Sequence, residues 1–183
     1  YTALLNLREG RGVVAMKGSV NVKTLAYNAA VTANNVDLSH FLPGHGLHAF
    51  SGRLSASGRG TDVFSTHTSL TADAGVTQFH FAGHDFAGLN AQVNVAGGHA
   101  WAELSNNSGM INGSIKLDGQ LLQRKWRANV QCELVDADFM KLGITRRPFN
   151  VALRSNLLLA SDFNNYYMLQ GSLSDICLRD SAK

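Results

Sequence analysis

Apolar and polar residues alternate along most of the chain with a period of two, and this pattern restricts the fold more than any other feature. In LNAQVNV, from Leu89 to Val95, every other residue is apolar and the residues between are Asn or Gln. WRANVQCEL, from Trp126 to Leu134, alternates in the same way. Successive side chains of a strand point to opposite faces, so such segments are expected to form antiparallel strands with one apolar face. Turn-forming segments such as REGRG, GRGTD and LDGQ separate them, and the spacing predicts an all-β fold of roughly a dozen strands.

A short phrase occurs twice in the chain, as NNVDLSHFLPG and as ELVDADFMKLG. Aligning Val36 with Val135, 99 positions apart, also brings other strand residues into correspondence, including Phe50 and Phe149. The sequence therefore predicts a repeat of about a hundred residues. We expect residues 1–109 to form the first copy and 110–183 a second, truncated copy, as one continuous folded unit cut from a longer protein.

The repeated phrase interrupts the period-two pattern, and its spacing is typical of one or two helical turns. We predict short helices over 37–43 and 136–142. Asp37 and Asp136 would cap these helices by accepting main-chain N–H groups at their starts. Glycine follows each phrase, and its permissive backbone suits the end of a helix.

The charge pattern gives little support to nucleic-acid binding. The net charge is +3, charged residues make up 16% of the chain, and the basic residues are scattered. The densest basic cluster is Arg124, Lys125 and Arg127, with Arg146 and Arg147 further on. A nucleic-acid surface would combine a basic stripe with stacking aromatic residues, so no nucleic-acid partner is expected.

No motif for catalysis, metal binding or a cofactor occurs in the sequence. The histidines form no HExxH motif, no GxSxG segment is present, and Cys132 and Cys177 lack metal-ligand spacing. The two cysteines suit buried thiols, and the spacing leaves a disulfide open. Asp62 and Asp162 recur between the two copies, which favours a role in turns. We expect no enzyme, no metal and no cofactor.

The segment from Val135 to Leu178, VDADFMKLGITRRPFNVALRSNLLLASDFNNYYMLQGSLSDICL, resembles the TamB and AsmA-like proteins of Gram-negative bacteria, and among them the Bacteroidetes branch. The phrase VDLSHFLPG resembles them more loosely. This resemblance implies an elongated antiparallel sheet curled lengthwise into an apolar groove, a β-taco. It also implies a periplasmic protein whose parent is anchored in the inner membrane. The implied function is phospholipid movement between inner and outer membrane or support of outer-membrane assembly, with phospholipid acyl chains and an outer-membrane barrel protein as partners.

Thirteen apolar residues at alternating strand positions are the candidates to line such a groove. Each of them also suits ordinary core packing. Frequent Ala and Gly at apolar-face positions would either leave room for a guest or allow close sheet packing. The candidates are Val20, Val22, Val31, Leu54, Leu70, Val93, Val95, Ile115, Leu117, Val130, Leu153, Leu169 and Leu173.

Two other functions fit an all-β repeat protein. One is an interaction or stalk module with a packed core and no lipid, for which an exposed apolar or aromatic patch is expected. The other is a carrier with a closed barrel that is plugged at one end. The repeat and the resemblance favour the open groove.

Overall fold

The structure is a computed structural model that describes residues 1–40, 43–44, 46–81, 83–122 and 125–180. Phe41 and Leu42, at the end of the first predicted helix, lie outside the described residues. His45 and Arg124, the latter a member of the basic cluster in the sequence, lie outside them as well.

Twelve strands make up most of the described chain. One 3-10 turn, Leu38–His40, lies between the third and fourth strands. The strands are β1 Thr2–Glu9, β2 Gly12–Asn21, β3 Ala26–Asp37, β4 Leu47–Arg59, β5 Ser69–Phe81, β6 His84–Phe86, β7 Leu89–Ala96, β8 His99–Asn107, β9 Ile111–Leu122, β10 Lys125–Asp138, β11 Phe149–Ser161 and β12 Tyr167–Asp180.

All twelve strands belong to a single antiparallel sheet whose spatial order follows the sequence. Each strand pairs with the strands before and after it, except that the short β6 pairs only with β5, so β5 is followed in the sheet by β7. β1 and β12 are the two free edges. The sheet is curled but does not close. The all-β prediction of a curled antiparallel sheet is therefore confirmed.

Cross-strand register places the apolar residues on one face of this sheet. Directly opposite residues of an antiparallel pair share a face, so one row of side chains can be followed from strand to strand. The row includes small residues in the middle strands and larger ones near both ends. It runs through Leu5, Met16, Val31, Leu54, Ala74, Ala91, Leu104, Ile115, Cys132, Ser155 and Leu173.

The curled sheet leaves much of this apolar face uncovered. The described chain has an accessible surface of 12253 Å², whereas a folded monomeric protein of this mass exposes about 8,600 Å². No large side chain of the described residues is fully buried. The buried apolar residues are small or medium in size: Ala33, Val36, Val95, Ala128, Ala137 and Val151.

β-bulges occur at matching points of β3 and β10, one strand in each predicted copy. After Ala33, two residues of β3 lie opposite the single residue Ser51, and after Leu134, two residues of β10 lie opposite the single residue Ala152. The pairing Val36–Phe50 in the first copy thus corresponds to Ala137–Val151 in the second. The alignment of Phe50 with Phe149 is therefore shifted by two residues, because the bulges set the register and the repeated phrase does not.

The predicted bounds of the second helix, 136–142, are wrong. β10 continues to Asp138, and the chain then forms a single turn in which Leu142 N–H donates to Asp138 O, four residues earlier, at 3.0 Å. In the first predicted helix, the described residues form the 3-10 turn Leu38–His40. Both phrases end at a glycine with positive φ, Gly44 at 82° and Gly143 at 72°.

The predicted cap role of Asp136 is also wrong. Asp136 lies within β10, where its carboxylate accepts two hydrogen bonds from Asn150 Nδ2 at 2.8 Å. Asp138 occupies the capping position instead, because its Oδ1 accepts the N–H groups of Met140 and Lys141. Asp37 accepts the N–H of Ser39 at 3.0 Å, at the start of the 3-10 turn.

Close strand packing explains one of the glycines on the apolar face. A Cβ atom at Gly119 would lie 2.8 Å from the Ala128 Cβ and 2.8 Å from the Arg127 carbonyl oxygen. Ala128 is only 1% exposed, so β10 has little room to move away. A larger side chain at 119 would therefore overpack the β9–β10 contact.

We predict that Gly119→Ala lowers the free energy of unfolding by roughly 1–3 kcal/mol through this overpacking. Gly109→Ala is the matched control, because a Cβ there meets no atom within 4 Å. Urea unfolding followed by far-ultraviolet circular dichroism measures both variants. Equal stability of the two variants would contradict the close approach at Gly119.

Candidate functional site

An apolar cavity of about 550 Å³ lies where the curled sheet brings β4–β7 opposite β8–β10. This volume falls within the range of about 300–1,000 Å³ typical of small-molecule sites. Most of its wall is apolar side chain, and the main contributors come from seven strands, β4 to β10. They are Phe50, Val76, Phe79, Phe86, Leu89, Leu104, Ile111, Ile115, Cys132 and Leu134.

Three phenylalanines form one side of the cavity. The ring of Phe79 on β5 lies 6.2 Å from Phe50 in an edge-to-face arrangement and 6.1 Å from Phe86. β6 is only three residues long, and it pairs Phe86 directly with Phe79. Phe50 lies beside register shifts between β4 and β5. Bulges bend a strand and redirect its side chains. The bulged part of β4 is the part that carries Phe50.

The opposite side of the cavity is formed by aliphatic residues and one thiol. Leu104 pairs with Ile115, and Ile115 pairs with Cys132, so the three lie in one row across β8, β9 and β10. Leu104 is 39% exposed and Ile115 is 42% exposed. These side chains therefore remain accessible from the cavity, and the wall offers apolar surface without a filled core.

One amide side chain interrupts the apolar wall. Asn106 on β8 lines the cavity, and its Nδ2 donates to the main-chain oxygen of Ala87 at 3.2 Å. Its Oδ1 is buried and has no hydrogen-bond partner among the described residues. Because its Nδ2 donates to the main chain of Ala87, the Asn106 side chain links the β6–β7 connection to β8.

At the other end of the groove, two loops meet through aromatic rings. Phe64, in the loop between β4 and β5, lies 5.5 Å from Phe163, in the loop between β11 and β12, in an edge-to-face arrangement. Phe163 also stacks on Trp126 at the start of β10, at 6.2 Å. Strands distant in the sheet order are thus joined at this end by side chains.

Two aspartates hold these loops in shape. Asp62 Oδ1 accepts the N–H of Phe64 at 3.0 Å. Asp162 Oδ1 accepts three main-chain N–H groups, those of Asn164, Asn165 and Tyr166. The turn role predicted for both residues is therefore confirmed.

Main-chain hydrogen bonds also lower the pKa of Asp162. The N–H groups of Tyr166, then Asn164 and Asn165, lower the pKa of Asp162, because they stabilise its ionised form. At Asp138 the N–H of Lys141 lowers the pKa in the same way. Both carboxylates therefore stabilise the turns in which they lie.

The histidines near the cavity end of the sheet have acidic neighbours. His80 Nδ1 lies 2.7 Å from Asp85 Oδ1, His48 Nδ1 lies 4.0 Å from Asp37 Oδ1, and the His48 and His80 rings are 5.5 Å apart. Within the described ranges, no three His, Cys, Asp or Glu residues form a group suited to a metal ion.

The structure places twelve of the thirteen candidate groove residues in strands, on one face. Their cross-strand partners connect them directly or through neighbouring residues of the same face, as with Val31–Leu54, Leu70–Val95 and Leu117–Val130. Val22 is the exception, because it lies in the turn after β2. Ile115 alone of the thirteen lines the 550 Å³ cavity.

Sequence reasoning missed the aromatic side of the cavity. Phe79 and Phe86 lie in QFHFAGHDF, where the alternation of apolar and polar residues gave a strand but no indication of β6. A signal was present in the Phe-His-Phe pattern of residues 79–81, which places two aromatic residues at a spacing of two. This pattern alone could not predict a cavity, because the cavity also depends on the bulge of β4 beside Phe50.

No family model, no curated protein and no solved structure matches this chain. Among the described residues, no helix has the length and apolar character needed to cross a bilayer.

We predict that Phe163→Ala loosens the end of the groove, because Phe163 contacts both Phe64 and Trp126. Loss of two aromatic contacts should lower the free energy of unfolding by roughly 1–3 kcal/mol. In a Trp101→Phe background, Trp126 emission should shift to longer wavelength as the ring gains contact with water. Tyr167→Ala is the control, since Tyr167 is 73% exposed, and an identical emission shift there would contradict the loop contact.

The lowered pKa of Asp162 predicts a pH dependence. A carboxylate with a depressed pKa contributes stability above its unfolded pKa, and this contribution is lost as pH falls through the folded pKa. Asp162→Asn should therefore lower the melting temperature at pH 7, and the difference from wild type should shrink below about pH 4. Thermal unfolding across pH measures it. Asp73→Asn, in the middle of β5, removes the same charge, and an equal effect there would contradict the role of the loop.

Proposed function

We propose that this chain is a segment of an envelope protein whose apolar groove holds acyl chains of phospholipids. The observation that carries the proposal is the apolar cavity on the uncovered concave face of an unclosed sheet. A globular protein without a ligand normally fills such a volume with its own side chains. Here the described residues include no fully buried large side chain.

The chemistry of the wall suits a hydrocarbon chain. Transfer of a CH₂ group from water to an apolar environment contributes about 0.8 kcal/mol, and the row offers such an environment on every strand that it crosses except β11, where Ser155 lies. Since the row lacks charged side chains, it would bind acyl chains without selecting a head group. Weak, evenly spread binding of this kind allows a chain to slide along the groove.

The resemblance to TamB and AsmA-like proteins adds the cellular setting. We infer a periplasmic location, a parent anchored in the inner membrane, and a role in phospholipid movement between inner and outer membrane or in outer-membrane assembly. An outer-membrane barrel protein is the partner that this resemblance implies. Catalysis has no place in the proposal, since the carboxylates with shifted pKa values hold turns.

The alternative is a β-repeat stalk or interaction module. That function needs a packed, lipid-free core, and exposed apolar residues on the edge strands, such as Leu5 on β1 and Leu169 on β12, fit interaction surfaces at the two edges. The two functions differ in one measurable property, which is whether the cavity holds lipid.

We predict that the chain purified from a bacterial host retains phospholipid in stoichiometric amount, measured by solvent extraction and mass spectrometry. Ile115→Asp should reduce bound lipid on the order of tenfold or more, because it places a charge against hydrocarbon. Its effect on folding should be small, since Ile115 is 42% exposed.

Gln131→Asp is the matched control on the neighbouring strand. Gln131 is exposed, lies opposite Lys116 and faces away from the cavity, whereas Ile115 lies opposite Cys132. The control adds the same charge and should leave lipid binding unchanged. Wild-type protein free of lipid, or equal loss in both variants, would overturn the proposal and favour the stalk module.

A further inference from the structure

Apolar side chains are exposed at the tips of three turns that lie at the same end of the strands. The turns are 22–25 between β2 and β3, 60–68 between β4 and β5, and 162–166 between β11 and β12. They share one end because the sheet is antiparallel and its order follows the sequence. Their exposed large apolar residues, which we call the apolar rim, are between 41% and 59% exposed: Val22, Leu25, Val63, Phe163 and Tyr166.

Contacts between the turns make the apolar rim one continuous surface. Gly60 N–H donates to Leu25 O at 3.1 Å, which holds turn 22–25 against the loop 60–68. The Phe64 and Phe163 rings, 5.5 Å apart, join that loop to turn 162–166. The three turns thus meet although their strands are distant in the sheet order.

Two residues of the apolar rim have a backbone conformation that their residue type disfavours. Leu25 has a φ of 54° and Phe163 a φ of 58°. The left-handed region is costly for a residue with a Cβ, and glycine or asparagine normally occupies it in a turn. A bulky apolar side chain that is held there and exposed to water stabilises neither the turn nor a core. Such strain is typical of sites with a function beyond folding.

Basic side chains surround the apolar rim. Lys23 is exposed in the first turn, and Arg59 is exposed just before the second. Lys125 and Arg127 are exposed and line a hollow together with Tyr166 of the third turn. The ion pairs of the described residues do not include any of these four cations.

The carboxylates of the three turns are Asp62 and Asp162. Each accepts main-chain N–H groups of its own turn, so both carboxylates are directed toward the backbone. Asp162 also borders the hollow that Lys125 and Arg127 line. Four cations against two hydrogen-bonded carboxylates leave this end of the sheet complementary to a negatively charged surface.

The connections at the other end of the strands have a different composition. In their described parts, the exposed large apolar residues are Met140 and Ile144, and neither is aromatic. Acidic residues such as Asp85 and Asp138 lie among basic residues such as Arg146. Aromatic tips and a surplus of cations therefore occur together at the rim end.

We propose that the apolar rim is a membrane-docking surface, which inserts its side chains into the interface of a bilayer that contains anionic phospholipid. Exposed aliphatic and aromatic side chains bind at the boundary between head groups and acyl chains, where Tyr and Phe rings are favoured. The flanking Lys and Arg side chains bind the lipid phosphates. Separate turn tips with charges between them fit a fluid interface better than the apolar core that a protein partner needs. This inference does not rest on acyl chains in the cavity.

The test is flotation of the whole chain with vesicles of phosphatidylcholine, with and without phosphatidylglycerol. Wild type should float with the anionic vesicles, and the bound fraction should fall as salt is raised. Leu25→Asn should weaken binding roughly threefold to tenfold, because it removes apolar surface. Its melting temperature should equal or exceed that of wild type, since asparagine adopts the left-handed region readily. A merely structural role of Leu25 would move both measurements in the same direction.

Two further variants separate charge from apolar contact and one end of the strands from the other. Lys125→Gln should weaken binding to the anionic vesicles roughly fivefold. Ile144→Asn is the matched control, because Ile144 is an exposed aliphatic residue in a turn at the opposite end, and it should bind like wild type. Ile115→Asp, which tests the cavity, should also float like wild type, so the two proposals can fail separately.

Four results would overturn the proposal. The first is wild-type protein that floats with neither kind of vesicle. Equal binding with and without phosphatidylglycerol would exclude an anionic surface as the partner. Equal weakening by Leu25→Asn and Ile144→Asn would place the membrane contact outside the apolar rim. A dimer in sedimentation that Leu25→Asn dissociates, without vesicle binding by wild type, would assign the rim to a second copy of the chain.

Discussion

The hydrogen-bonded ladder between consecutive strands is the constraint on which the rest of this structure depends. Because each strand except the short β6 pairs with its neighbours in the sheet order along the chain, no strand of the described residues returns to cover the apolar face. The face can then be shielded only by curling the sheet, and the curl stops short of closure. The low burial of large side chains and the accessible cavity follow from this one arrangement.

Alternation of residue types was sufficient to predict which residues share a face. Val93, Val130 and Leu153 lie on the concave side because a strand has a period of two and the pairings keep that phase. The same reasoning could not place Val22, which follows the last residue of β2. Side chains alternate between the two faces only within a strand, and this alternation ends where the chain turns.

Bulges limited what the sequence could predict. The phrase VDADF indicated a helix capped by Asp136, yet β10 continues to Asp138 and a bulge follows Leu134. A bulge adds a residue without a strong signature in residue type, so an alignment made by eye is displaced by it. The aromatic side of the cavity depends on the same kind of irregularity, at the β4 residues beside Phe50.

The proposed function combines two different things, the geometry of the groove and the resemblance to lipid-conduit proteins that the sequence pattern suggests. The geometry supplies an apolar trough with loops joined at one end by Phe64, Phe163 and Trp126. The resemblance supplies the setting in which a trough would be useful. Bound lipid depends on the trough itself, and so lipid extraction tests the geometry directly.

The strand order has a further consequence, for how the chain acquires its structure. Every long strand pairs with one that was made shortly before it, so each new strand can add to the edge left by its predecessor. Loop closure between neighbours costs little entropy compared with closure between distant segments. A chain that emerges gradually, from a ribosome or through a translocation channel, can therefore fold by successive addition of strands, without waiting for its C-terminal part.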